Sequence, residues 1–250
     1  MQVLPCTSLS LCGITQQING IPPTDTQAFE RTSRSALQSA IAKLNDGLRS
    51  DGTYEGISEW DTHTHQWQLL EEWCIVVDWP LRFGGREHDV YYDQSSSRWF
   101  KLTKPSAAGF TIDICEGRLF PLLATPLQYL ARWRIGNRLF GDDVAFHGVA
   151  ITKGERRLMI SQRDITGETP EWQEIEDLFT NQYGMRRLHL APGTLVGDYD
   201  ARAYFRGRYG IFDVRPLNCV RTNEGGIVPI DVIPRVYGCE DAKVLKQLST

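Results

Sequence analysis

No stretch of the chain is apolar for long enough to cross a bilayer, which takes about 20 residues, so no membrane-spanning helix is expected. The first twelve residues, Met1 to Cys12, have no basic start and only a broken apolar core. They read poorly as a signal peptide. Cysteines are few and scattered: Cys6, Cys12, Cys74, Cys115, Cys219 and Cys239 include no C-x-x-C pair, which argues against a zinc ribbon or a dithiol redox motif. A reduced, cytoplasmic protein is the expectation. Charge of one sign is also lacking. A net charge of −4 gives no electrostatic ground for a nucleic-acid partner or an anionic membrane. There is no internal repeat and no low-complexity tract. What remains is a 250-residue chain of ordinary globular composition, sized for one large domain or two small ones.

The stretch richest in chemistry runs from Tyr209 to Asp231. Asp213 and Asn218 stand five residues apart with Arg215 and Pro216 between them. Asn223-Glu-Gly-Gly226 predicts a hairpin turn, since paired glycines supply positive φ. The short apolar runs Cys219–Thr222 and Ile227–Asp231 flank it. Such a hairpin returns Asp231 to the side of Asp213 and Asn218. Two carboxylates and an amide oxygen at one sheet mouth suit a hard cation such as Mg²⁺. Taken alone, Asp213 and Asn218 are also what turns prefer.

Residues 1–25 read as an arm or loop, with Asn19-Gly20, Pro22-Pro23 and a cap at Thr24 or Asp25. Leu37, Ala40, Ile41 and Leu44 have helical spacing within 28–48, closed by Gly47. The tryptophan-rich segment 61–79 includes a helical Leu69–Trp73. Its Asp61-Thr-His63-Thr-His65 would put both histidines on one side of a strand, although a polar loop without metal is the plainer reading. Trp60, Trp67, Trp73 and Trp79 need burial, so this part is expected to pack on the rest.

From Phe83 the texture changes. Gly84-Gly85 turns into a strand, Gln94–Ser97 turns again, and Arg98–Thr103 is a second strand carrying Lys101. Thr125 caps a helix with Pro126 in its first turn, an apolar face of Leu127, Leu130, Ala131, Ile135, Leu139 and Phe140, and a stop at Gly141-Asp142-Asp143. Val144–Ile151 and Arg157–Gln162 form a hairpin about Lys153-Gly154. A further helix opens at Thr169-Pro170, with Thr169 as cap, and ends at Gly184. A short helix closes the chain at Asp241–Gln247.

The order of these parts resembles the compact protein-kinase-like family found in phage polyvalent proteins. The residues that carry the likeness are Gly84-Gly85 before a strand, Trp99-Phe-Lys101, the helix from Tyr129 to Phe140 running into Gly-Asp, Ile160-Ser-Gln162, the Asp213–Asn218 loop and Pro229-Ile-Asp231. The resemblance covers roughly residues 83–238. It implies an α+β, two-lobed kinase-like fold with a reduced large lobe, a mainly helical extension over 1–82 and a tail at 239–250. It also implies ATP and Mg²⁺ as cofactors, and phosphoryl transfer to a protein or small-molecule hydroxyl. Gly84 and Gly85 would cover the nucleotide phosphates and Lys101 would hold them. Ser161 and Gln162, in a hinge running to Asp164, would meet the base. Asn218 and Asp231 would hold the metal, Asp213 would orient the acceptor, and Arg215 would sit near the transferring group. Ile211-Phe212 stands where the family has His-Arg. No acid lies between Leu127 and Phe140 to pair with Lys101, and Glu116, with Asp113 behind it, is the substitute expected. A nucleotide-binding pseudokinase or an interaction module without turnover is the alternative.

Overall fold

The computed structural model describes residues 26–49 and 52–249. The arm expected over residues 1–25, with its turns and the caps Thr24 and Asp25, lies outside the described residues, as does the side chain of Trp60.

Helix α1 spans Thr26–Asn45. Leu37, Ala40, Ile41 and Leu44 are all buried, as one face of a 3.6-residue period requires. Helix α2, Glu59–Leu69, begins on Ser58, whose side chain accepts from the Asp61 amide. This corrects the strand reading of Asp61–His65. Residues two apart on a helix point roughly 200° away from each other. His63 accordingly packs on Trp67 and His65 on Tyr54, so the two share no metal position. A 3-10 turn, Glu71–Trp73, leads to strand β1, Cys74–Val76.

The next strands are β2 (Arg82–Phe83), β3 (His88–Asp93), β4 (Arg98–Thr103) and the hairpin β5 (Phe110–Cys115) and β6 (Arg118–Leu123). Helix α3, Pro126–Phe140, follows, then β7 (Ala145–Thr152) and β8 (Glu155–Arg163). Thr125 and Gln128 cap α3 reciprocally and Gly141 ends it in the left-handed region. One six-stranded sheet results, in the order β1-β7-β8-β4-β3-β2. Val90, Lys101, Ile160 and Phe146 are successive register partners, so their side chains share a face. On that face lies a core of Leu37, Ile41, Leu44, Trp67, Tyr129, Trp133, Phe146 and Ile160. The opposite face packs Phe100 and Met159 against Trp79 and Tyr91. The N-terminal segment is thereby part of the core, with Trp67 and Trp73 on one face and Trp79 on the other.

The buried side of α3 is Tyr129, Leu130, Arg132, Trp133 and Gly136. This face is rotated from the one its aliphatic residues suggest, because the aromatic pair contributes more area than Ala131 or Ile135.

The remaining elements are β9 (Gly167–Glu168), α4 (Trp172–Asp177) continued by a π turn at Leu178–Gln182, β10 (Arg186–Arg187), β11 (Arg202–Arg206), β12 (Tyr209–Val214), β13 (Cys219–Thr222), β14 (Ile227–Pro229), β15 (Ile233–Val236) and α5 (Cys239–Leu248). Glu171, not Thr169, caps α4, in a reciprocal box with Glu174. Strands β10-β11-β12-β15 form one sheet and β14-β13-β9 another. The β5–β6 hairpin joins this half: Ile112 and Leu119 pack with Phe212, Tyr237 and Leu245. The protein is a mixed α+β structure with several sheets and, among the described residues, five α-helices. No described helix is long and apolar enough to cross a membrane. The four described cysteines, Cys74, Cys115, Cys219 and Cys239, are unbridged.

Candidate functional site

The site forms where the end of β12, the β13–β14 hairpin and the α3 face of the large sheet meet. Asp213 closes β12 at φ +52, a backbone state that few non-glycine residues adopt and Asp tolerates better than most. Its carboxylate accepts from the Asp198 amide at 2.9 Å and from Asn218 Nδ2 at 2.9 Å. Asn218 Nδ2 also donates to the Asp213 carbonyl at 2.7 Å. Both amide protons are spent on Asp213, so the Asn218 side-chain oxygen is the atom left to offer a cation. Gly197 sits so close to Asp213 that a Cβ there would lie 2.1 Å from Oδ1, which fixes glycine at that position. Arg215 pairs with Asp198 at 2.8 Å and stands 3.7 Å from Asp213. Burial pushes the Asp213 carboxyl above the usual range, opposed by the Asp198 amide, Arg215 and Asn218.

The hairpin turns at Asn223–Gly226 with Gly225 alone of the glycine pair at positive φ, and Thr222 N–H donates to the Gly226 carbonyl at 2.8 Å. Ile230 N–H donates to the Asn218 carbonyl at 2.9 Å, which places Asp231 beside the loop. From the sheet side, Lys101 Nζ reaches Asp231 Oδ1 at 3.5 Å, across 130 residues of sequence. Lys101 and Asp231 are thus in contact, and the Ile230–Asn218 backbone bond sets Asp231 next to the Asn218 loop.

Lys101 does not pair with Glu116. Glu116 occupies the exposed turn of the β5–β6 hairpin at φ +50, and Asp113 behind it pairs with Arg235 at 3.1 Å. Instead α3 supplies a cation. Arg132, 3 % exposed, donates to Glu87 Oε1 at 2.7 Å and to Asp231 Oδ1 at 3.3 Å. An alternating chain of Glu87, Arg132, Asp231 and Lys101 runs from the glycine turn to the sheet. Trp133 lies under both cations, 4.5 Å from the Arg132 guanidinium and 5.4 Å from Lys101 Nζ. Burial alone would raise the Asp231 carboxyl. Lys101, Arg132 and His88 outweigh it and hold the group down at about 2.

The glycines shape the turn between β2 and β3. A Cβ on Gly84 would meet Val90 Cγ1 at 2.5 Å, and Gly85 has φ +108. Neither makes contact with the ion chain except through Glu87, two residues on. Gln162 lies on the Lys101 face of β8 by strand parity, buried, with Nε2 unpartnered. Ser161 departs from its expected role. It has Cα partners on both sides, Phe100 and Ala145, and its side chain lies on the opposite face. There Ser161 Oγ accepts from Arg98 Nε at 2.9 Å and bonds His147 at 2.8 Å, so it belongs to the sheet interior and offers no edge to a base.

Two further residues were given no part in the site from the sequence. His88, fully buried, bonds Tyr129 through Nε2 at 2.9 Å; burial depresses its pKa to about 4. Asp142, after α3, is 9 % exposed with Oδ1 unpartnered, and burial raises it to about 7 despite the nearby Lys101. Nothing local set Arg132 apart from the other arginines of α3 or marked Glu87, and Asp142 was read only as part of the stop after the helix. Glu87, His88 and Asp231 offer ligand atoms within 4.8 Å of one another. Both carboxylates are already compensated by Arg132 and Lys101, so a divalent ion there would have to displace a cation. A cavity of ≈ 670 Å³ lies away from the loop, lined by Leu37, Arg134 and Arg138, and it meets this cluster only at Asp142. Comparisons with family models, with curated proteins and with solved structures give no significant match.

Proposed function

We propose that the chain is a Mg-ATP-dependent phosphotransferase of the protein-kinase-like type, acting on a Ser, Thr, Tyr or other hydroxyl of a protein or small molecule. In this reading 83–238 form a two-lobed catalytic unit with a reduced large lobe, 1–82 an extension packed on it and 239–250 a tail. The observation that carries it is a pair of contacts, Lys101 on Asp231 and Asn218 on Asp213, linked through the backbone hydrogen bond from Ile230 to the Asn218 carbonyl. The donor set fits the cofactors. Asp231 and the Asn218 oxygen are hard ligands for Mg²⁺, and Lys101 is a point charge for phosphate. Bound Mg-ATP would supply the phosphoryl group and part of its charge neutralisation. The protein's share is positioning and electrostatics. Asp213 holds the acceptor hydroxyl, and its raised pKa suits a proton acceptor. Arg215, held on Asp198, places positive charge beside Asp213.

Turnover and binding measured separately test this. Asp213→Asn should lower ATP-dependent phosphorylation by about 10²–10⁴-fold and leave Mg-ATP binding near wild type. Asp231→Asn should weaken Mg-ATP binding itself. Wild-type turnover surviving Asp213→Asn would remove Asp213 from the mechanism.

A nucleotide-binding pseudokinase is the second reading. It is favoured by the absence of a helix carboxylate on Lys101 and by the two cations already on Asp231. It expects the Asp231→Asn effect on binding with no turnover in the wild type.

A further inference from the structure

Arg132 has no counterpart in the roles assigned so far. It is buried, projects from α3, and shares a single carboxylate oxygen with Lys101: Asp231 Oδ1 lies 3.3 Å from Arg132 NH2 and 3.5 Å from Lys101 Nζ. Two cations gathered on one oxygen make a seat for an oxyanion, and here the protein's own carboxylate occupies it. The Arg132 Nε–H is also buried and donates to nothing. A buried guanidinium with a donor to spare is unusual, since such groups are almost always satisfied.

The charges make the arrangement conditional. Glu87 and Asp231 balance Arg132 and Lys101 as the chain stands. If Asp231 turns to a metal ion, Arg132 and Lys101 lose their shared anion. A guanidinium only 3 % exposed cannot turn to water instead; it would keep Glu87 alone while Lys101 kept no anion, and under-compensated buried charge is costly. Another anion is then favoured in the place of Asp231. The Asp231 side chain is 37 % exposed, so the position it would vacate opens to solvent.

We propose that Arg132 is a second phosphate-binding cation beside Lys101, and that Asp231 Oδ1 fills its seat until a nucleotide phosphate replaces it. The ligand class is a polyphosphate. Guanidinium geometry suits two phosphate oxygens at once, which an ammonium does not offer. Glu87 is the competitor: it holds the other arm of Arg132 at 2.7 Å and ties the seat to the glycine turn. The proposal rests on the kinase-like reading for the identity of the nucleotide, but not for the existence of the anion seat.

The experiment is calorimetric titration of the full chain with ATP, adenosine and inorganic tripolyphosphate. The proteins are wild type, Arg132→Gln, Arg132→Lys and Glu87→Gln. Arg132→Gln should weaken ATP and tripolyphosphate by about tenfold or more, the loss expected for a charged hydrogen bond, and leave adenosine unchanged. Arg132→Lys should recover part of the loss. Glu87→Gln should tighten ATP by about threefold or more, because it removes the competing anion from a buried guanidinium. Unchanged ATP affinity in a folded Arg132→Gln protein would overturn the inference and leave the kinase-like reading standing. Where Arg132→Gln fails to fold, unchanged ATP affinity in Glu87→Gln would overturn it. Tripolyphosphate binding that depends on Arg132, without binding of ATP, would keep the anion seat and remove the nucleotide reading. A wild type that binds none of the three ligands would sink both.

Discussion

Asp142 is the residue whose environment most clearly disagrees with its charge. It is buried, half unpartnered, and raised to about 7 by that burial. The sign of its effect follows from linkage. Its unfolded pKa is near 3.8 and its folded pKa higher, so between these values the native state holds the extra proton. The stability it allows is complete below the unfolded value and is lost as pH rises through about 7. Asp142→Asn should therefore gain on the wild type as pH rises from 5 to 8, read as the difference in urea midpoints. A difference that does not change with pH would show that Asp142 is not the buried acid described. At this scale the sequence was partly legible. Asp213, Asn218 and Asp231 declare themselves by spacing and by a glycine turn, and Lys101 by its strand. Arg132, Glu87 and Asp142 do not, because their partnerships are made in space. Arg132 lies 45 residues from Glu87 and 99 from Asp231, separations over which no periodicity carries a signal.

Among the elements, hairpins and caps were the most legible because local chemistry decides them. Lys153-Gly154, Asn223–Gly226 and Thr125-Pro126 all act as their residue types require. The hydroxyl of Thr125 accepts the Gln128 amide, so Thr125→Ala should cost about 1 kcal/mol of stability in chemical denaturation. A loss near zero would mean that Gln128 alone holds the end. The face of α3 was read in part: Leu130 is buried and Leu127, Leu139 and Phe140 pack as their spacing predicts, while Tyr129 and Trp133, outside that reading, are buried and Ile135 is not. The β5–β6 hairpin went unread although Thr111-Ile-Asp-Ile114 alternates and Glu116-Gly117 can turn; the core residues it packs with begin only at Leu188. Helix α1 was legible in spacing and its destination was not. Ile41 is 1 % exposed and shares a core with Trp133 and Phe146. Ile41→Ala should therefore destabilise the whole molecule by about 2–5 kcal/mol, in one transition common to fluorescence and circular dichroism. Separate transitions for α1 and the sheet would contradict a shared core.

Across the whole molecule, two imidazoles, His88 buried and His147 half-buried, contribute to the response to acid. Burial depresses His147 to about 3 and His88 to about 4, so both stay neutral in the folded state well below their unfolded values. Their contribution is present above about pH 6.5 and is lost as pH falls toward those folded values. Imidazole chemical shifts should show neither ring titrating between pH 7 and 5; titration of either near 6.5 would place it in water. The mixed α+β class was readable from the chain, because glycine turns and hydrophobic runs mark its strands and helices. How the large sheet meets the loop is a tertiary matter, fixed by Lys101, Arg132 and Asp231 together. The proposed role of this meeting point is to bind Mg-ATP. Its most direct measurement is equilibrium titration of Mg-ATP into the wild type and Lys101→Met. Saturable binding in the wild type, weakened by about tenfold or more in Lys101→Met, is the expected result. Absence of binding at millimolar Mg-ATP, or equal affinity in the two proteins, would contradict it.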